Sequence, residues 1–420
     1  MTPLEVLAQP FTLPNGVVVK NRICKSAMSE TLGDSAGAPT PQLAHLYQAW
    51  ADGGVGLCVT GNVMIDHRAL GEPGNVVIED AHHMAALKAW AKAATSNQTQ
   101  CWVQLNHPGK QSPKGLNAQT VAPSAVPFRP DLQAFFATPR ALTAAQVLEL
   151  IERFGRAAAV VKQAGFTGVQ IHGAHGYLVS QFLSPLHNLR SDDWGGTPEK
   201  RRRFVLALYR AMRAAVGASF PIGIKLNSAD FQRGGFSEEE SLDTIRALAD
   251  AGIDLIEISG GTYEAPAMTG VKTRDEPVKP STRQRESYFL AFAEKARRVV
   301  KTPLVVTGGF RTAAGMAQAI RSGAVDMVGL ARALAMEPDL PNRLLEGKEA
   351  VYQVKPITTG IKAIDKMGIL EINWYTGQLK RIGNGQPPKP RESGLWVIAK
   401  LAWHMVFIGK KRLPTKLRAG

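Results

Sequence analysis

Between residue 23 and about residue 346, short β-branched apolar runs alternate with longer stretches in which apolar residues recur at helical spacing. The runs at 23–27, 57–62, 101–105, 168–172, 223–227, 255–259, 304–307 and 327–330 predict eight strands. The stretches at 42–52, 81–94, 143–164, 198–216, 237–251, 284–300 and 312–322 predict helices. Several open on a capping residue, as Ser237 does ahead of three glutamates, and several close on Ala-Gly, as at Ala164-Gly165 and Ala251-Gly252. Strand and helix in strict alternation imply a parallel sheet, and eight repeats are the number that closes a (β/α)8 barrel. The expected fold is therefore α/β: a (β/α)8 TIM barrel over residues 1–350 with an N-terminal β-hairpin, followed by a basic C-terminal extension over 351–420. The hairpin spans 11–19, turns at Pro14-Asn15-Gly16, and is expected to plug the bottom of the barrel.

Two connections are unusually long: 106–140 after the third strand and 260–283 after the sixth. Loops of that length are commonly functional, and in a barrel both rise from the ligand-binding face, so they are expected to act as substrate lids. Past residue 350 the alternation stops, and Gly-Gln-Pro-Pro-Lys-Pro at 385–390 reads as a linker. Residues 395–408 are apolar except for Lys400 and His404, one helical turn apart, and Lys410-Lys411-Arg412 follows. A helix of that size spans roughly 21 Å at 1.5 Å per residue, too short for a bilayer core of about 30 Å. Three arrangements stay open: packing against the barrel, forming a homo-oligomer interface, or lying in an anionic membrane surface through Trp396, Trp403 and the basic end.

Composition narrows the class. A chain of 420 residues with 45% hydrophobic and 20% charged residues has ordinary globular usage, which excludes collagen-like, coiled-coil and wholly disordered chains. Cys24, Cys58 and Cys101 lie far apart, so neither a disulfide scaffold nor a paired-cysteine metal site is indicated, and a cytoplasmic setting is expected. A net charge of +15 raises the question of nucleic acid. From Lys355 onward, however, thirteen Lys and Arg stand against Asp365, Glu371 and Glu392, which places +10 of it in the tail. The body lacks an aromatic-basic platform, so a nucleic-acid partner is not expected.

In a barrel the chemistry gathers where strands end, and those positions here are polar or small. In order they are Ser26, Ala27, Met28 and Ser29; Gly61; Gln104; His172 with His175 and Tyr177; Lys225 with Asn227; Gly260-Gly261; Gly308 and Gly309; and Ala331 with Arg332. Glycines after strand seven and an arginine after strand eight match the place where such barrels bind phosphate through backbone N–H groups and a cation. A phosphorylated ligand is expected.

The segment Val-Gln-Ile-His-Gly-Ala-His-Gly-Tyr-Leu-Val-Ser-Gln-Phe-Leu-Ser-Pro at 169–185 resembles the active-site signature of the old yellow enzyme family of FMN-dependent reductases. Further similar features follow in order: Lys20-Asn21-Arg22-Ile23 into Ser26-Ala27-Met28, Gln104-Leu105-Asn106-His107-Pro108-Gly109, Asn188-Leu189-Arg190 with Trp194-Gly195-Gly196, and Gly308-Gly309. The resemblance runs over about residues 5–350.

It implies a set of roles. Gln104 bonds the pyrimidine edge of FMN, and Lys225 places positive charge near flavin N1 and O2, where it stabilises the anionic reduced ring. Ser29 stands where the family usually carries Thr or Cys near flavin O4, and a hydroxyl can still donate that hydrogen bond. Ser26, Ala27, Met28, Gly61, Gly308, Gly309, Ala331 and Arg332 complete the cofactor cradle. His172 and His175 donate hydrogen bonds to a carbonyl or nitro oxygen, and Tyr177 delivers a proton to the α-carbon as general acid. Cys24 reads instead as a small buried hydrophobe. No G-x-G-x-x-G fingerprint occurs, so NADH or NADPH is expected to use the same pocket as the substrate, with ping-pong kinetics. With no cysteine after Cys101, the iron-sulfur cluster of larger relatives such as the dienoyl-CoA reductases is not expected.

The implied activity is reduction of activated C=C bonds in small α,β-unsaturated carbonyl or nitro compounds. Alternatives remain: a flavin oxidase or demethylase on the same scaffold, a phosphate-sugar lyase using Lys225 as a Schiff base, a non-catalytic membrane-associated binding protein, or a metal held by His172, His175 and His187.

Overall fold

The computed structural model describes residues 1–262, 287, 289–348, 357–361, 365 and 369–400. At the N-terminus β1 (Phe11–Thr12) pairs antiparallel with β2 (Val18–Val19), the expected hairpin. The strands β3 (Ile23–Lys25), β4 (Leu57–Met64) and β5 (Gln100–Asn106) follow. A small parallel pair, β6 (Val121–Ala122) with β7 (Arg140–Ala141), lies within the long connection after β5. Then come β8 (Gly168–Gly173), β9 (Ile222–Asn227), β10 (Leu255–Ser259), β11 (Leu304–Thr307) and β12 (Met327–Leu330). All but β1, β2, β6 and β7 close into one parallel barrel, with β12 pairing back onto β3. The eight strands are those predicted, with ends moved by at most two residues.

The predicted helices appear at Pro41–Asp52, Met84–Ala94, Ala144–Ala164, Pro198–Val216, Glu238–Asp250, Leu290–Arg297 and Ala313–Arg321. Thr143 and Ser237 close capping boxes with Gln146 and Glu240, which satisfies backbone N–H groups that have no partner within the helix. Residues 263–286 of the connection after β10 lie outside the described residues, as does the 395–408 stretch beyond Lys400.

Side chains alternate across each strand, so the barrel interior is layered. Its lower layer is apolar: Cys24, Leu57, Val59, Trp102, Leu255, Val305 and Met327 form one cluster, and Leu13 and Val19 of the hairpin join it from below. Trp102 fills the middle of this layer. A Cβ at Gly168 or Gly223 would meet its ring at 2.5 or 2.7 Å, so those positions require glycine. One residue pair higher the interior turns polar, with Gln104, Gln170, Lys225, Glu257 and Thr307.

Two readings of the chain after the barrel need correction. The helix Ile369–Gly383 was not evident, although Leu370, Trp374, Gln378 and Ile382 recur every fourth residue and are all buried. The segment at 385–390 does not behave as a free linker. Lys389 N–H donates to Gln378 Oε1 at 2.6 Å, and Arg381 Nε donates to the Pro387 carbonyl at 2.8 Å, so it is tied back onto that helix. The helix packs on Pro41–Asp52 and on the turn after β12.

Candidate active site

At the carboxyl ends of the strands a cavity is lined by Ala27, Met28, Ser29, Asn62, Gln104, His172, His175, Tyr177, Lys225 and Ile372. Register explains the convergence. Asn62 is paired with Gln104, Gln104 with Gln170, and His172 with Lys225, so neighbouring strands bring these side chains to the same height.

A hydrogen-bonded row beneath the cavity orients its floor. Gln104 Nε2 donates to Gln170 Oε1 (2.7 Å), and Gln170 Nε2 donates to Glu257 Oε2 (2.8 Å). Glu257 Oε1 takes the Lys225 ammonium at 3.0 Å and the Thr307 hydroxyl at 2.7 Å. Burial pushes the Glu257 carboxyl up, but the Lys225 charge and these donors outweigh it and hold it below the ordinary range. The Glu257 carboxylate is thus compensated on both oxygens, which is what makes burying a charge pair tolerable, while Gln104 and Lys225 also face the cavity.

The histidines form the opposite wall. Burial, and then the Lys225 charge, lower His172 to about 3, and burial with Lys225 and His172 lowers His175 well below its usual value. Both rings are neutral at pH 7. Ala174 N–H donates to His172 Nδ1 at 3.4 Å, which leaves the ring proton on Nε2. His175 sits at a φ of +63°, an arrangement that costs energy in a non-glycine residue, and its Nε2 lies 2.8 Å from Ser259 Oγ. The His172 and His175 rings meet edge to face at 5.3 Å, and Tyr177 packs on His172 at 4.8 Å.

Behind the residues that follow β3 lies a second polar knot. Tyr47 donates its hydroxyl to Glu30, whose carboxylate also accepts the Gly61 N–H at 2.9 Å and lies 3.7 Å from the Lys25 ammonium. Ser29 Oγ donates to Glu72 Oε1 at 2.8 Å. Burial raises the Glu72 carboxyl above its ordinary value, against the opposing pull of the Ser29 hydrogen bond.

Of the residues singled out in the sequence, Ala27, Met28, Ser29, Gln104, Lys225, His172, His175 and Tyr177 thus line one cavity. Ser26 lies below it, 2.6 Å from Thr307 Oγ1. Gly61 faces Glu30, where a Cβ would sit 2.0 Å from a carboxylate oxygen. Gly308 and Gly309 follow β11 with φ of +104° and +93°, a turn that suits glycine alone. Ala331 and Arg332 follow β12, and Arg332 Nη1 donates to Glu371 Oε1 at 2.9 Å. His187 stands apart from the pair it was grouped with, 3.2 Å from the Lys110 ammonium. Cys24 is a buried thiol in the lower layer, as expected.

Glu257, Gln170, Asn62 and Ile372 were missed. The first three sit at inward positions of predicted strands, where period-two counting finds them. Ile372 carries no such signal, because only tertiary packing brings it to the mouth. The connection at 106–140 supplies none of the lining residues; it packs beside the helix Leu178–Leu183, where Leu178 N–H bonds the His107 carbonyl and Lys110 N–H bonds Gln181.

The sequence profile of the NADH:flavin oxidoreductase / NADH oxidase family matches residues 6–350. The NADH-dependent flavin oxidoreductase iccE of Talaromyces variabilis is 36% identical over 409 residues, covering 90% of this chain and 98% of that protein. The NADH-dependent flavin oxidoreductase iliE of Neonectria sp. (strain DH2) is 36% identical over 353 residues, 79% of this chain but only 46% of that longer protein. Among solved structures, an old yellow enzyme homologue from Zymomonas mobilis superposes with a TM-score of 0.70 at 25% identity, covering 83% of this chain and 94% of that one. With its barrel, its strand-end cavity and this match in hand, the chain belongs to the NADH:flavin oxidoreductase / NADH oxidase family of FMN-dependent oxidoreductases.

Proposed function

We propose that the protein binds FMN across the barrel mouth and uses NADH or NADPH to reduce the activated C=C bond of a small α,β-unsaturated carbonyl or nitro compound. The observation that carries this reading is the placement of His172, His175 and Tyr177 on the same cavity as Gln104 and Lys225. The donor set suits the cofactor. Gln104 and Lys225 offer an amide and an ammonium to a pyrimidine edge, and the glycine turn at Gly308-Gly309 after β11, with Arg332 after the neighbouring β12, suits a phosphate. When bound, FMN supplies the hydride chemistry.

The chain's own residues do the rest. His172 Nε2–H and the His175 ring hold the substrate oxygen and draw electron density from the β-carbon. Because both rings are neutral, they do so without adding a second positive charge beside Lys225. Tyr177, whose side chain is buried against His172, passes its hydroxyl proton to the α-carbon. NAD(P)H enters the same cavity before the alkene, so donor and acceptor alternate. Membership of this family leaves no place for the lyase reading, in which Lys225 forms a Schiff base; Lys225 is instead paired with Glu257.

The test is anaerobic and optical. The purified holoenzyme is expected to show flavin absorbance, to bleach with NADH or NADPH, and to recover its colour on addition of 2-cyclohexenone. Failure to recover with the enone under anaerobic conditions, followed by recovery on admitting oxygen, would favour the oxidase reading instead. Intersecting rather than parallel initial-rate lines would overturn the shared cavity.

A further inference from the structure

The helix Ile369–Gly383 lies beyond the segment matched by the family profile, yet Ile372 on it lines the same cavity as the two histidines and the tyrosine. Ile372, Thr376 and Lys380 are spaced by four residues and so form one stripe on the helix. The two members beyond Ile372 reach residues beside the site. Thr376 Oγ1 donates to the Ser29 carbonyl at 3.3 Å, and Lys380 places its charge beside Glu72, the carboxyl that accepts the Ser29 hydroxyl. One residue before Ile372, Glu371 holds Arg332 at 2.9 Å.

The opposite side of the helix is anchored. Trp374 and Gln378 are at most 1% exposed, and Gly383 lies so close to the Gln42 carbonyl that a Cβ would meet it at 2.7 Å. Ile372 itself is 48% exposed and is one of the residues that line the cavity, so part of its side chain is free to meet a ligand. A β-branched side chain in a helix holds nearly one χ1 rotamer, which makes it a stiff wall. The cavity therefore has a polar wall of two imidazoles and a phenol, and an apolar border at Ile372.

We infer that Ile372 is a specificity-determining residue, which sets the size of the apolar group a substrate carries away from the oxygen held by His172 and His175. This inference rests on the ene-reduction reading and adds to it: the favoured acceptors bear a compact hydrocarbon group that fits beneath Ile372, and bulkier ones are turned away by the extension and not by the barrel.

The test uses the FMN-loaded full chain and reads ligand affinity, so that turnover is not the only measure. Phenol and 4-tert-butylphenol, which place an oxygen at the imidazole pair and differ only in the apolar end, are titrated by the long-wavelength absorbance of a phenolate against an oxidised flavin. Ile372→Trp is expected to raise the ratio of the two dissociation constants about tenfold, with phenol itself little changed. Ile372→Val, which trims one carbon and is safe for folding at a half-exposed position, is expected to lower that ratio about twofold. The same order should appear in flavin reoxidation by 2-cyclohexenone and by 4-isopropyl-2-cyclohexenone. Parent holoenzyme that binds phenol and is reoxidised by enone, while the Trp variant keeps the parental ratio at full FMN content, overturns this inference alone. A parent that binds neither phenol nor enone overturns the proposed function and this inference with it.

Discussion

The Lys225 ammonium and a Glu257 carboxylate oxygen lie 3.0 Å apart beneath the cavity, and both side chains are almost fully buried. The positive charge of Lys225, proposed above to meet the flavin pyrimidine edge, is thus already paired with a carboxylate. Glu257→Gln keeps the shape and removes the compensation, so the anionic reduced ring is stabilised more. The midpoint potential of the bound FMN should rise by roughly 30 mV, the two-electron equivalent of about 1.4 kcal/mol. Dye-equilibrated spectroelectrochemistry measures it, and an unchanged potential would show that the pair does not act on the ring.

Tyr177→Phe removes the proposed proton donor and leaves the packing on His172. Reoxidation of the reduced flavin by an enone should slow by about 10² to 10⁴, the usual worth of a general acid. Bleaching by NAD(P)H should keep its rate, because hydride delivery to the cofactor needs no proton from Tyr177. Stopped-flow measurement of the two half-reactions separates these outcomes; equal slowing of both would contradict the assignment.

Arg332 follows β12, in the position expected to meet a phosphate, and is held at 2.9 Å from Glu371. Arg332→Gln should weaken FMN about tenfold or more, the scale of one charge-assisted hydrogen bond, and leave riboflavin affinity nearly unchanged. Fluorescence titration of the apoprotein with each flavin tests this. Parallel loss for both flavins would place the arginine away from the phosphate.

Acid should destabilise the fold through its buried imidazoles. Burial lowers His107 to about 4, and burial with a nearby lysine charge lowers His172 and His187 to about 3. In the unfolded chain each returns to about 6.5, so below that pH the unfolded state binds protons that the folded state refuses. The contribution is intact above about pH 6.5 and is lost progressively as pH falls toward 3. His187→Gln, outside the cavity, should shrink the stability gap between pH 7.5 and pH 5.5 by about 1 kcal/mol, read from urea unfolding midpoints. A gap equal to that of the parent would mean His187 is not held neutral.

The strands were legible because each buried run is short, apolar and followed by polar or small residues, a pattern that local chemistry alone produces. Tyr177 and the two histidines were legible because they sit within six residues on one strand end. The length of the connection at 106–140 suggested a lid, but did not foretell that part of it packs beside the site, where Lys110 lies over the Phe128 ring at 4.1 Å and its backbone N–H bonds Gln181. Glu72 was hidden for the opposite reason, since nothing near it in sequence predicts that Ser29, 43 residues away, will give it a hydroxyl proton.

By itself the sequence determined the barrel, the alternation that puts an apolar layer below a polar one, and the strand ends where His172, Gln104 and Lys225 emerge, because these follow from periodicity along single strands. Only the tertiary structure decided which charges compensate one another and what covers the mouth. Lys225 meets Glu257 across a strand pair, and Ile372 reaches the cavity from 195 positions beyond Tyr177 because Trp374, Leu379 and Ile382 dock its helix. Such contacts depend on how surfaces distant in the chain fill space together, and no local pattern encodes that.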